Sequence, residues 1–170
     1  MAYIELRGME LDSARKANDI VFNRAMKSLN NKDDIEVRDL RPEDLKITNP
    51  AFTFSLTTTS NWHTVINNLT IDNQTWIAIY GVQYFNTSKL LTSVRITAGG
   101  ALKMYRPIEG IEQTQNKILW FDPVLIDQQQ TLKVEAYNNT TTTNTAESLV
   151  FFGRVAEKAG KVLAPTPKAY

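Results

Sequence analysis

From Ala51 onward the hydrophobic residues recur with a period of two. Phe52, Phe54 and Leu56 alternate with Thr53, Ser55 and Thr57, and Val65, Leu69 and Ile71 share one side of the next run. Val94 and Ile96, Ile118 and Trp120, then Leu132, Val134 and Ala136, then Val150 and Phe152 continue the pattern. Alternation of this kind puts apolar side chains on one face of a pleated strand. Trp76 to Phe85 is apolar on both faces, as a central strand of a sandwich is. Gly99-Gly100 separates two alternating runs and tolerates the positive φ angles of a two-residue hairpin. Eight or nine short strands with polar connections and no helix among them predict an antiparallel β-sandwich of jelly-roll type.

Charge is distributed to match. Residues 1–46 hold 9 Lys or Arg and 10 Asp or Glu, whereas residues 47–148 hold 13 charged side chains against 40 Ser, Thr, Asn and Gln. The last stretch, 149–170, has four basic residues and one acid. The charged head reads as a helix. Ala14, Ala17, Val21, Ala25 and Leu29 repeat at helical spacing, and Ile20, Phe22 and Met26 widen the stripe. Asp12 or Ser13 is the expected N-cap, Asp12 is placed to pair with Lys16, and Asn30-Asn31 ends the helix. The stripe has two uses: packing on its own domain, or serving as an arm laid on a neighbouring subunit. Deleting Met1 to Lys46 is expected to leave the β body folded but to impair assembly; aggregation as unfolded material would instead place the head in the core. Within the charged linker, Pro42-Glu43-Asp44-Leu45 predicts a single helical turn with proline at its first position. Pro165 and Pro167 predict an extended C-terminal arm, either frayed or strapped across a neighbour. The expected division is therefore an N-terminal helical arm and linker over 1–46, a sandwich body over 47–157 and an arm over 158–170.

Little in the chain points to chemistry. Without cysteine there is no disulfide, thiolate or cysteine-based metal site, and His63 is the sole histidine. No Gly-x-Ser-x-Gly turn accompanies His63, which reads as a strand-edge residue. Glu109 with Glu112, and Asp122 with Asp127, are acid pairs of unspecific spacing, expected as solvated loop carboxylates. No phosphate-cradling loop occurs, and net charge is +1, so neither nucleic acid nor an acidic surface is favoured. No cofactor, no metal and no enzymatic activity are expected. The N-terminus has no basic and apolar leader pattern, so no signal peptide is expected. The Asn-x-Ser/Thr sequons at Asn68, Asn73, Asn86, Asn138 and Asn139 read as by-products of Asn- and Thr-rich loops.

Two further stretches fit one style of protein. Ile118-Leu119-Trp120-Phe121-Asp122-Pro123 precedes a polar turn and the Leu132 strand, and Phe151-Phe152-Gly153-Arg154-Val155-Ala156-Glu157-Lys158 runs from a strand into a charged exit. With the helical head and the proline-containing tail, this layout resembles the small jelly-roll coat and cement (capsid decoration) proteins of bacteriophage particles. The resemblance covers the whole chain in layout and carries no motif, so no functional residue transfers from it. It implies a structural role in the virion after synthesis in the host cytoplasm. It also implies homo-oligomeric assembly, with the arms gripping other copies or a major capsid protein. The candidate interface residues are Ile20, Val21, Phe22, Met26 and Leu29 on the helix and Lys161, Pro165, Pro167 and Tyr170 on the tail. The alternative function is a carbohydrate- or receptor-binding sandwich using Trp62 beside Asn61, or Trp76 beside Asn73 and Gln74. Tryptophan exposure separates the two, because rings that stack on sugars must reach solvent while core anchors do not.

Overall fold

The computed structural model describes residues 8–31, 34–47, 52–84, 89–108 and 117–160. One helix, α1 (Met9–Leu29), precedes nine strands: β1 (Ile35–Asp39), β2 (Thr53–Leu56), β3 (Asn61–Thr70), β4 (Thr75–Tyr84), β5 (Leu91–Ala98), β6 (Ala101–Pro107), β7 (Lys117–Ile126), β8 (Thr131–Asn138) and β9 (Asn144–Lys158). A single 3-10 turn, Pro42–Leu45, lies between β1 and β2, where proline at the first position predicts it.

The strands form two antiparallel sheets. The first runs β1-β9-β4-β7, with β2 also paired to β9, and the second runs β3-β8-β5-β6. Strands β2 to β9 pair in nested fashion: β2 with β9, β3 with β8, β4 with β7 and β5 with β6. A ribbon folded over in this way is the double-sheet jelly roll the strand spacing predicts. At its tip, Gly99 (φ 58°) and Gly100 (φ 79°) make the expected hairpin. Between the sheets lies a core of Ile66, Ile77, Ile79, Val94, Ile96, Ile126, Leu132, Val134, Leu149 and Val155, all buried. Pro123 is tolerated in β7 because β7 is an edge strand and its register slips beside the proline, between Val124 and Trp120.

All ten residues of β4 are buried. Ile77, Ile79, Val82 and Tyr84 enter the inter-sheet core, while Trp76, Ala78 and Tyr80 form a second core with Ala14, Ala17, Val21 and Ala25 of α1 and Ala156 of β9. The helix therefore packs on its own sheet. Alanine at three of the four contact positions keeps the helix backbone close to the strands. The helix starts at Met9 after Gly8, with no side-chain cap, so the expected cap at Asp12 or Ser13 is corrected. Glu10 and Asp12 lie instead in the first turn, where negative charge suits the helix dipole. Asn30 ends the helix as expected, in the left-handed conformation with its N–H donated to the Met26 carbonyl.

The boundary expected at residue 46 is not where the structure divides. Strand β1 pairs with β9 from Ile35↔Lys158 to Asp39↔Arg154, and Leu40 and Leu45 belong to the inter-sheet core. An ion-pair network fixes this segment. The Arg38 guanidinium donates to both Asp44 carboxylate oxygens at 2.7 Å and to Glu157 Oε1 at 2.6 Å. Hydrogen bonding to Asp44 is the main reason the Arg38 pKa rises above its ordinary value. Glu157 is only 4% exposed and depends on this cation for charge balance.

Three outcomes follow. Ala17→Leu is expected to cost about 1–3 kcal/mol of unfolding free energy in denaturant titrations, since Ala17 is fully buried in the helix–sheet core and the added carbons must force its neighbours apart. Arg38→Ala is expected to cost about 2–4 kcal/mol by leaving Glu157 buried and uncompensated. Removing residues 1–46 uncovers Trp76, Ala78 and Tyr80 and is expected to give aggregated or unfolded protein by circular dichroism and gel filtration; a folded, monomeric truncation would show that the sandwich stands without its helix.

Candidate interaction surface

The two outer sheet faces differ. The first lies under α1, whereas no described element packs over the outer face of β3-β8-β5-β6. Alternation along these strands sends Ile66, Val94, Ile96, Met104, Leu132, Val134 and Ala136 inward to the core. The residues between them face outward. Leu102 is 61% exposed and Tyr105 51%, and they pair across β5 with Thr97 and Arg95.

These outward side chains form a joined cluster. The Trp62 indole meets Tyr137 with ring centroids 5.4 Å apart and Tyr105 at 6.1 Å, both in edge-on geometry. The Arg95 guanidinium lies 4.0 Å from the Trp62 ring centroid, a cation–π contact. Arg95 Nε donates to Glu135 Oε2 at 2.8 Å, and Lys133 Nζ pairs with Glu135 Oε1 at 2.9 Å. The hydrogen bond from Arg95 holds the Glu135 carboxyl below the usual carboxylate range, against the opposing effect of burial. Tyr137 donates its hydroxyl to the Ser60 carbonyl at 3.4 Å. Arg95, Glu135 and Tyr105 were invisible as a group in the sequence, because they sit on three strands whose pairing is non-local. The only available signal was their common outward phase.

The predicted binding residues divide accordingly. Trp76 is 1% exposed beneath α1 and is a core anchor. Trp62 lies partly exposed on the uncovered face, but Asn61 beside it accepts the Trp62 backbone N–H at 2.7 Å. Val21 is fully buried inside its own chain, so it is corrected from a partner contact to a core residue. Leu29 is partly buried against the same core, Ile20 and Phe22 are half-buried at the flanks of the helix, and Met26 is 37% exposed. Lys161, Pro165, Pro167 and Tyr170 lie outside the described residues.

The carboxylates of the Asp122 and Asp127 pair are each engaged by a cation of α1. Asp122 accepts from Lys16 at 2.8 Å and Asp127 is bidentate with Arg24 at 2.6 and 2.9 Å, so both carboxylates tie β7 to α1. The Lys16 hydrogen bond also lowers the Asp122 pKa. Lys16 thus takes a distant partner in place of the expected Asp12. Glu109 and Glu112 lie outside the described residues. Two open clefts adjoin these pairs. One, of about 320 Å³, is lined by Arg24, Lys27, Ser28, Trp76, Asp127 and Gln128. The other, of about 190 Å³ between β6 and β7, includes Lys103, Tyr105, Arg106 and Asp122. Among the described residues no group of three or more His, Asp or Glu is placed to hold a metal ion, and no helix is long and apolar enough to cross a membrane.

His63 lies on edge strand β3, stacked on Phe54 with centroids 5.5 Å apart and with Nδ1 3.1 Å from Thr58 Oγ1. The threonine-rich turn beside it is held by Asn138, whose amide donates to the Thr58 and Thr142 carbonyls at 2.8 and 2.9 Å. The side chain of this sequon asparagine is thereby engaged internally.

Together these features define a jelly-roll sandwich with one sheet covered by its own helix and a second whose outer face no described element covers. No family model and no curated protein sequence matches the chain. The chain has a distant similarity to solved structures of viral particles. The crystal structure of the infectious bursal disease virus VP2 subviral particle is 17% identical, with a TM-score of 0.40, over 76% of this chain and 34% of that one. The structure of T=1 particles derived from the same virus gives 16% identity and a TM-score of 0.39, over 75% and 33%. The chain therefore spans about a third of the length of these neighbours.

Burial lowers the pKa of His63 below its ordinary value of 6.5, favouring the neutral ring in the folded state. The resulting stabilisation is present above the unfolded-state pKa and is lost as pH falls through the folded one. The single imidazole resonance is expected to titrate with a midpoint below 6.5, and His63→Gln to lessen the loss of melting temperature on acidification; a midpoint at or above 6.5 contradicts this.

Proposed function

We propose that this chain is a non-enzymatic structural subunit of a virus particle, a coat or cement protein that binds neighbouring shell subunits. The observation that carries the reading is the nested pairing of β2 to β9, the jelly-roll architecture that recurs in viral capsids. This is an argument from fold by analogy. Two features of the molecule support it. The described ion pairs of Asp122, Asp127, Glu135 and Glu157 serve packing, with no opposed acid and base across a cleft. Among the described strands the sheets end in β3, β6 and β7, each paired along one edge only, and in β1 and β2, which both pair with β9; such edges can accept a neighbour's strand.

The helix stripe contributes less to assembly than the sequence implied, because its centre is spent on the chain's own sheet. Contacts fall to the strand edges, the Ile20, Phe22 and Met26 flanks of α1, and the tail around Lys161, Pro165, Pro167 and Tyr170. Each contact can be weak, since many copies at fixed geometry raise the effective concentration. The partners are other copies or a major capsid protein, in a bacteriophage-like particle.

Light scattering and electron microscopy of the purified protein, alone and mixed with preformed capsid shells, test this. Closed particles from the protein alone establish a coat role. Saturable decoration of preformed shells establishes a cement role. A protein that stays monomeric at high concentration and ignores shells sinks the reading.

A further inference from the structure

We propose that the open face of β3-β8-β5-β6 is a binding site for an acidic saccharide, one bearing a carboxylate or sulfate. The inference rests on this face alone and does not depend on the shell reading. Sugar rings present flat C–H faces that pack on aromatic rings, together with hydroxyls that need polar partners. Tyr105, half exposed, supplies the ring surface, and Trp62, partly exposed with Arg95 over one ring face, adjoins it. Leu102 extends it along the same edge. Thr64 and Asn67 on β3 and Thr131 on β8 are exposed polar groups around it.

Charge selects the anionic class. Arg95, Lys103 and Lys133 outnumber Glu135, the one carboxylate of the cluster. Glu135 is only 7% exposed beneath its two cations, so the accessible charge of the face is positive. Lys103 is exposed and has no ion-pair partner among the described residues. A second copy laid face to face would set these cations against each other, which disfavours self-association here. A nucleic-acid strand needs a continuous basic track, whereas this face offers a compact spot edged by hydroxyl and amide groups. Preorganisation favours binding further: Arg95 is fixed between the Glu135 carboxylate and the Trp62 ring, so little ordering remains to be done when a ligand arrives.

The test titrates full-length protein with 3′-sialyllactose and a heparin-derived tetrasaccharide, with lactose as neutral control and a thymidine oligonucleotide as competitor class. Binding is read by tryptophan fluorescence and by backbone amide shifts. Both acidic probes are expected to bind saturably, with amide shifts confined to β3, β5, β6 and β8. Tyr105→Ala and Lys103→Glu replace exposed side chains and are expected to leave the fold intact, checked by circular dichroism. Each is expected to weaken binding about five- to tenfold, the size of one lost aromatic or charged contact. No saturation up to about 10 mM, weaker than any specific site of this size, would overturn the proposal. So would equal binding of lactose, binding untouched by both substitutions, preference for the oligonucleotide, or dimerisation through this face in place of ligand binding.

Discussion

The structure depends on strand β4 being buried on both faces. One face enters the inter-sheet core with Ile77, Ile79 and Val82, and the other carries Trp76, Ala78 and Tyr80 to meet α1. Burying this second face under the helix removes the Trp76 indole and the Tyr80 ring from water, a gain of kilocalories per side chain. The helix meets this face with Ala14, Ala17, Val21 and Ala25. Their small side chains let the tryptophan fill the gap between layers. The head of the chain is thus a third layer of the fold.

Around this contact the charged residues act as fasteners. Lys16 and Arg24 reach from the helix to Asp122 on β7 and Asp127 just after it, while Arg38 joins β1, the 3-10 turn and β9 through Asp44 and Glu157. The two sets differ in weight. Asp122 has a 91% exposed side chain, so its pair with Lys16 adds little beyond orientation. Arg38 and Glu157 are largely buried, and neither tolerates loss of the other. Gly153 marks another tight point: a Cβ there would lie 2.8 Å from the Ala78 carbonyl, where β9 passes β4 at the register slip.

The helix covers one sheet, while no described element covers the outer face of the other, where Trp62, Arg95, Tyr105, Glu135 and Tyr137 cluster. The face is neither a groove nor an acid-lined cleft. Its rings and guanidinium are locked to one another across four strands, which makes it a rigid presentation surface. The buried carboxylate in it, Glu135, is neutralised by Arg95 and Lys133.

Much of this was legible in the chain. Period-two runs located the strands, Gly99-Gly100 located the hairpin, and Pro42 located the turn, because each depends on local backbone preferences. Asn30 as helix terminator was equally local. The helix start was missed by a few residues, since Met9 begins the helix without the side-chain cap on which such a reading relies. The segment from Lys32 to Lys46 read as a linker because its charges looked solvated. Nothing nearby in sequence reveals that Arg38 faces Glu157. The site was half legible: Trp62 stood out, while Arg95, Glu135 and Tyr105 did not.

By itself the sequence determined that the chain is a cysteine-free β-sandwich with a helix ahead of it, because hydrophobic period and turn chemistry are properties of neighbouring residues. Only the tertiary structure decided which face meets which. Thr53 pairs with Ser148, the helix stripe meets its own sheet, and an arginine, a glutamate and three aromatic rings converge on the open side. Periodicity records which side chains share a surface. It holds no record of the partner surface, since that choice is made by the long-range registry of strands distant along the chain.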